Sequence, residues 1–308
     1  FIKQNKGEYI MSVLSNLLAA FKPGKQFTLK EAYAVNPSYP KESVRARIYE
    51  NLGKEFKKLS KGLYVTDDVV LIEGDGRDLS VFESESMDCI ITDHPWDDKK
   101  SNNGGTRHLA QYDCFKYTLS DFMEKARVLK EGSFLVEILP AENENNFDYL
   151  YEIKKMAEQA GFKYYAKVAW KKGTFVSNTG RKAKNTEDIM IFSKGKPRAL
   201  RPDKQRGVIN GVPTRFMSGA NGMLPTEFNV QAIPNKLKNV QTEKPVALFE
   251  QLLEYFTLPG ELVLDQFAGS GVTGEACLNK KRKCILIEKC KEHVVSIINR
   301  LNLQCAVI

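Results

Sequence analysis

Leu262-Val263-Leu264-Asp265-Gln266-Phe267-Ala268-Gly269-Ser270-Gly271-Val272-Thr273-Gly274 is the stretch on which the reading of the fold depends. A short apolar run ends in a carboxylate, a glycine-rich turn follows, and a helical pattern then continues to Asn279. Strand, turn and helix in that order place a ligand outside the carboxyl end of the strand. The spacing Gly269-x-Gly271-x-x-Gly274 by itself serves nicotinamide dinucleotides as well as other ligands. Asp265 separates these cases. A pyrophosphate needs bare backbone amides with no carboxylate nearby, whereas an acidic strand end favours a ligand carrying positive charge. Glu288 closes the next apolar run, Cys284 to Ile287, where it is placed to accept hydrogen bonds from ribose hydroxyls.

A second run, Cys89-Ile90-Ile91-Thr92, closes in Asp93-His94-Pro95-Trp96. This turn has the parts needed to activate an exocyclic amine, whose lone pair is delocalised into its ring. A carboxylate (Asp93) and a backbone carbonyl (that of His94) can accept the two N–H bonds and free the lone pair. Pro95 stiffens the turn, and Trp96 offers a flat face to a base taken out of its stack. His94 is also a candidate to take up the released proton, against the plainer reading that its ring points aside. Asn102-Asn103-Gly104-Gly105 just beyond reads either as a loop able to close over the base or as an inert one.

Asp93-His94-Pro95-Trp96 resembles the (D/N/S)-P-P-(Y/F/W) motif of methyltransferases that act on exocyclic amines of nucleic-acid bases. Asp265 to Gly271 resembles the D-x-F-x-G-x-G motif with which that family binds S-adenosylmethionine. The catalytic segment precedes the cofactor segment, the order of the β class. Thr242-Glu243-Lys244-Pro245, Gly74-Asp75 and Lys130-Glu131-Gly132-Ser133 are similar to further family segments, so the likeness spans roughly residues 70–305. The resemblance implies Asp75, Asp93, Lys244, Asp265, Phe267, Gly269, Gly271 and Glu288 at the cofactor, and Asp93 to Trp96 at the reacting amine. It departs at His94, where the family commonly has proline, and at Val240-Gln241, where it usually has His-Pro.

Around these motifs, strands alternate with helices from Val69 onward, which calls for a doubly wound, Rossmann-like and largely parallel α/β sheet. Expected strands lie near 69–73, 87–92, 133–139, 164–170, 188–192, 262–265 and 284–288. Expected helices lie near 120–129, 146–160, 245–257 and 271–279, with one more at the end of the chain. Residues 1–66 read as three helices and a hairpin, a winged-helix-like DNA-binding domain, with Arg45 and Arg47 on its third helix. Residues 67–308 form the methyltransferase domain, and about 171–241 is an inserted target-recognition segment.

The formal net charge is +8, with 42% hydrophobic and 27% charged residues, a globular composition. Between Lys163 and Gly207 thirteen Lys or Arg stand against Glu187, Asp188 and Asp203. That concentration favours a polyanionic partner, with Lys171, Lys172, Arg181, Lys182 and Lys184 as phosphate contacts, or forms a solvated basic face. The six cysteines make no C-x-x-C pair, so reduced thiols in the cytoplasm and no metal site are expected. His108 and His293 lack ligand-like neighbours, and no run is long enough to span a bilayer. The reading is an S-adenosylmethionine-dependent methyltransferase acting on adenine N6 in double-stranded DNA, a modification enzyme without its own nuclease. Asp at the head of the turn favours adenine over cytosine N4 through the family resemblance. RNA adenine methylation, N4-cytosine methylation, a nicotinamide dehydrogenase and a DNA-binding regulator with an inactive enzyme domain remain open alternatives.

Overall fold

The computed structural model describes residues 13–21, 26–52, 56–66, 68–96, 114–174, 185–201, 208–209, 212–213, 222–238, 240, 242–301 and 306–307. The Asn102–Gly105 loop, His108, Arg181, Lys182, Lys184 and Cys305 lie outside them.

Helix α1 (Val13–Ala20) leads into strand β1 (Gln26–Thr28), helices α2 (Leu29–Ala34) and α3 (Lys41–Glu50), and the hairpin β2 (Phe56–Ser60) and β3 (Leu63–Thr66). Thr28 caps α2 as its sequence foretells: its hydroxyl accepts from Glu31 N–H, and the Glu31 carboxylate accepts from Thr28 N–H at 2.7 Å. Strand β1, which the sequence reading left out, pairs with β3, giving a three-stranded antiparallel sheet ordered β1-β3-β2. Val13, Leu17, Phe21, Phe27, Val44, Ile48, Phe56 and Tyr64 bury together beneath it. The hairpin also faces the rest of the chain. Leu59 and Val65 sit in a core of the larger sheet, and Glu83 N–H donates to the Leu59 carbonyl. A cut at residue 66 therefore passes through packed side chains.

The main sheet uses β4 (Val69–Glu73), β5 (Met87–Thr92), β6 (Leu129–Pro140), β7 (Phe162–Lys171), β8 (Thr186–Lys194), β11 (Glu227–Asn229), β12 (Leu262–Asp265), β13 (Lys283–Glu288) and β14 (Ala306–Val307). Its order is β11-β7-β8-β6-β5-β12-β13-β4-β14, and a separate small pair joins β9 (Val208–Ile209) to β10 (Val212–Pro213). The pairings from β6 through β14 are parallel, as expected; β8 runs antiparallel to both β6 and β7, a reversal the alternation of elements did not reveal.

Burial follows the two-residue period of a pleated strand. Val69, Leu71, Cys89, Ile91, Val136, Val263 and Leu286 face one core. Val70, Ile72, Ile90, Leu135, Leu264 and Ile287 face the other. Helices α6 (Val246–Phe256), α7 (Val272–Asn279) and α8 (Lys291–Leu301) cover the first face. Helices α4 (Leu119–Val128) and α5 (Phe147–Gln159) cover the second. Strands covered on both faces must be apolar throughout, which is why both motif strands read as unbroken runs.

The chain leaves β5 toward β6 and leaves β12 toward β13, on opposite sides, so the crevice of the doubly wound sheet opens between β5 and β12. There the Thr92 hydroxyl donates to Asp265 Oδ1 at 3.1 Å, and Phe267 N–H and the Thr273 hydroxyl donate to the same carboxylate at 3.2 and 2.5 Å. Even so, burial pushes the Asp265 carboxyl up to about 7. The loop after β4 closes the other flank: Gly76 lies against the Gln266 backbone, and its carbonyl accepts from Gln266 Nε2 at 2.5 Å.

Two outcomes are expected. A Cβ at Gly76 would stand 1.8 Å from the Gln266 carbonyl oxygen, a backbone atom with no room to yield. Gly76→Ala should cost about 3 kcal/mol or more in denaturant unfolding. Because the folded Asp265 carboxyl titrates above its unfolded value, it favours folding most below about pH 4, and that benefit is lost as pH rises through about 7. Above that pH the buried charge costs about 4 kcal/mol. Asp265→Asn should raise the thermal midpoint at pH 8, with the gain shrinking toward pH 4. A midpoint below the parent's at every pH would refute this account.

Candidate active site

Four acids line the carboxyl rim of four neighbouring strands. Asp93 follows β5, Asp265 ends β12, Glu288 ends β13, and Asp75 lies two residues beyond β4. The two motifs read from the sequence thus meet on adjacent strands, joined by the Thr92–Asp265 hydrogen bond.

On the β12 side the glycines behave as their spacing requires. Gly271 has φ +79° and opens α7. A Cβ at Gly274 would stand 2.7 Å from Leu301 and 2.8 Å from Leu286, so the third glycine permits close packing of helix on strand. Gly269, at φ +54°, is different: a Cβ there would meet nothing nearer than 4.0 Å. The backbone is bare and opens outward where a ligand is expected. Glu288 holds this loop in place, its carboxylate accepting from Gly269 N–H at 2.7 Å and Cys290 N–H at 2.8 Å. His293 Nδ1 stands 3.6 Å from it, a neighbour the sequence did not suggest. Asp75 is exposed, and its carboxylate accepts from Arg77 N–H at 3.0 Å. An acidic rim around a bare glycine turn suits a cationic ligand with a ribose, and the residues present therefore fit S-adenosylmethionine.

On the β5 side, Asp93 Oδ2 is 2.5 Å from Lys244 Nζ. The Lys244 ammonium lies between two carboxylates, with Glu187 at 3.5 Å. Lys172 completes an alternating row at 2.6 Å from Glu187. Burial pushes the Asp93 carboxyl up while Lys244 pulls it down; burial also opposes the Lys244 charge, but Asp93 and Glu187 hold its pKa above the ordinary lysine value. Among the described residues no donor reaches Asp93 Oδ1 or the His94 carbonyl, so both acceptors are free. Trp96 is half-buried beside them.

His94 turns its ring inward. It is 1% exposed, its Nε2 is 2.9 Å from the Tyr149 hydroxyl, and its ring lies 4.1 Å from that of Tyr117. Burial first, and then the charge of Lys125, hold the imidazole well below the ordinary histidine range. The ring thus points aside into the protein, as the plainer reading had it, with burial favouring its neutral form.

The phosphate contacts expected on the basic stretch divide. Lys171 is paired to Glu227 at 3.2 Å and Lys172 to Glu187, so both are neutralised within the protein. Arg45 and Arg47 are exposed on α3, Arg47 beside Glu50 at 3.0 Å. Sequence reasoning missed Glu187, Tyr117, Tyr149 and also Arg300, which bridges Glu243 at 2.7 Å to the Ser270 carbonyl at 3.2 Å and so ties the segment before α6 to the glycine loop. Among the described residues there is no cluster suited to a metal ion, no disulfide, and no helix long and apolar enough to cross a membrane.

Comparison with known proteins agrees with this geometry. Type II methyltransferase M.HpaI of Haemophilus parainfluenzae is 27% identical over 234 residues, 73% of this chain and 71% of that one. Type II methyltransferase M2.DpnII of Streptococcus pneumoniae is 25% identical over 270 residues, 80% of this chain and 94% of the relative. The crystal structure of the M1.HpyAVI–SAM complex superposes with a TM-score of 0.55 at 22% identity, covering 76% of this chain and all of that one. PvuII DNA methyltransferase, described as cytosine-N4-specific, gives 0.56 at 19% identity over 78% of this chain and 88% of its own, so the fold is shared. The model of the N6/N4 DNA methylase family matches residues 87–300, which contain both the Asp93–Trp96 turn and the glycine loop, and the chain belongs to that family.

Proposed function

We propose that this protein transfers a methyl group from S-adenosylmethionine to the N6 amine of adenine in double-stranded DNA. The observation that carries the reading is the free pair of acceptors, Asp93 Oδ1 and the His94 carbonyl, on the strand adjoining the open Gly269 turn. Family membership and two type II methyltransferase relatives support the reaction class. Asp93 at the head of the turn, through the resemblance, supports adenine over cytosine.

S-adenosylmethionine supplies an electrophilic methyl on a sulfonium. Asp75, Asp265, Gly269, Gly271 and Glu288 would hold it, with Phe267 beside them and the acids compensating its positive charge. Asp93 and the His94 carbonyl each accept one N–H of the amine, drawing the nitrogen lone pair out of the ring. Lys244 keeps Asp93 ionised through Oδ2 and leaves Oδ1 to the substrate. Once nitrogen has gained the methyl, its surplus proton lies within reach of Asp93, whose burial makes it a better base than an exposed carboxylate. Trp96 stacks on the extruded base.

Duplex binding is supported by the element order α1-β1-α2-α3-β2-β3, that of a winged helix, with Arg45 and Arg47 outward on its third helix. With Lys171 and Lys172 in ion pairs, the remaining charge of the stretch around Arg181, Lys182 and Lys184 falls in the connection between β7 and β8, which starts and ends beside Asp93's partners.

Incubation with labelled S-adenosylmethionine and unmethylated genomic DNA, followed by nucleoside analysis, should yield N6-methyladenine. N4-methylcytosine would replace the target base but keep the mechanism, and methylation of RNA alone would overturn the duplex assignment. Asp93→Ala should abolish transfer and leave cofactor affinity within about twofold, since only binding of the amine is lost. Arg45→Ala with Arg47→Ala should weaken binding of all duplexes alike and lower the log–log salt slope by roughly 2. An unchanged slope would move the phosphate contacts elsewhere.

A further inference from the structure

The turn 93–96 lacks the proline that its family commonly has at position 94, yet it is held from several directions. Phe115 N–H donates to the Pro95 carbonyl at 3.2 Å. Tyr149, from α5, brings its hydroxyl to 2.9 Å from His94 Nε2, and the same oxygen accepts from Tyr117 N–H at 3.0 Å. The Tyr117 ring packs on His94, and its own hydroxyl donates to Glu137 Oε2 at 3.1 Å. Glu137 is in turn paired with Lys125; both are fully buried, and Lys125 Nζ lies 3.8 Å from the Tyr117 ring centroid. On its other flank Phe115 meets Phe267 of the cofactor motif at 5.4 Å between centroids.

A proline would restrain one torsion of the turn. The imidazole does more, because a side chain anchored at its tip fixes the position of the residue as well as its backbone angle. The carbonyl of the anchored residue is the one free to accept the amine. A buried ion pair such as Lys125–Glu137 is a costly way to stabilise a fold, and breaking one partner away is more costly still. Here its geometry serves to hold the Tyr117 hydroxyl, and through Tyr117 the backbone donor that fixes Tyr149.

We propose that Tyr149 and Tyr117 are positioning residues of methyl transfer, which aim the His94 carbonyl at the target amine by anchoring the His94 imidazole in place of a proline restraint. This inference rests on the reading of residues 93–96 as the transfer turn. Its consequence is specific: loss of the anchor misaligns the amine without disturbing either ligand's affinity. Misplacement of a reacting group by about 1 Å lowers the rate on the order of a hundredfold.

The test measures kcat, KM for unmethylated plasmid DNA and the dissociation constant of S-adenosylmethionine in the full-length protein. Tyr149→Phe removes one oxygen and keeps the ring, so its thermal midpoint checks folding directly. It should lower kcat by roughly ten- to a hundredfold with both binding constants within about twofold of the parent. His94→Ala should lose as much, and His94→Pro should recover at least about tenfold over His94→Ala by supplying the torsional restraint. In the His94→Pro background, adding Tyr149→Phe should change kcat by less than about twofold, because no imidazole is left for the hydroxyl to anchor. The shape of the kcat–pH profile should be the same in the parent and His94→Pro, since the buried imidazole does not titrate in the reaction.

Tyr149→Phe at the parent kcat would overturn the proposal, as would an equal loss in the presence and absence of His94. A loss shared by kcat and cofactor affinity would overturn it too, showing a general loosening of the site. Should His94→Pro fold poorly, the kcat-against-binding split in Tyr149→Phe decides the matter alone. Asp93→Ala in the same assays separates the two levels. If it retains transfer, the reading of the turn fails; if it is inactive while Tyr149→Phe is unimpaired, only the anchor fails.

Discussion

The hydroxyl of Thr92 donates to the carboxylate of Asp265 across 173 residues of chain, and the arrangement of the site follows from the strand pairing that makes this contact possible. Val263 pairs with Cys89 and Leu264 with Ile90, in parallel. A shift of one residue in that register would turn one strand over relative to the other, sending Val263 into the core packed around Leu264 and Leu264 into the opposite one. The register is therefore fixed by burial on two sides. Once it is fixed, the amine-facing turn and the glycine turn must emerge at the same end and next to each other, whichever comes first along the chain. Order in sequence is free; adjacency in the sheet is not.

Charge is arranged differently on the two sides of this seam. Toward β13 and β4 the rim is acidic, with Asp265, Glu288 and Asp75 in a bowl around bare backbone. Toward β8 and β7 the signs alternate from Asp93 to Lys244, Glu187 and Lys172. In the first group two carboxylates hold the glycine turn, Asp265 accepting from Phe267 N–H and Glu288 from Gly269 N–H. In the second, Asp93 is poorly solvated, and the Lys244 ammonium meets one of its oxygens and leaves the other open. The same residue type thus has two physical jobs on adjacent strands, and which job it has is decided by its neighbours.

The longer central strands, their helices and both rim turns were legible because β4, β5, β12 and β13 are apolar runs covered on both faces, and β5 and β12 end in motifs of fixed spacing. The capping box at Thr28 and the glycine at Gly161 after α5 marked helix ends in the same local way. Strand direction was not legible: β8 has the same apolar run whether it is parallel or antiparallel. Strands β1, β11 and β14 are two or three residues long, too short to show a period. In the site, Glu187 and Tyr149 gave no signal, since their roles depend on elements brought together from far along the chain. Glu137 did give one. It stands inside Phe134-Leu135-Val136-Glu137-Ile138-Leu139, and Lys125 stands between Phe122 and Val128 on the buried stripe of α4. An acid in a buried strand and a base in a buried helix face each need a partner, and each is the other's.

The antiparallel strand has one more effect. Because β8 enters the sheet from the end where its neighbours leave, Lys171 and Thr186 are paired at the rim, and the chain between them is a loop rooted on both sides at the mouth of the crevice. Such a loop can be lengthened, shortened or exchanged without moving any strand, because neither root changes its pairing. One reversed strand therefore gives any stretch spliced between β7 and β8 two fixed roots at the rim and leaves the register beneath it untouched.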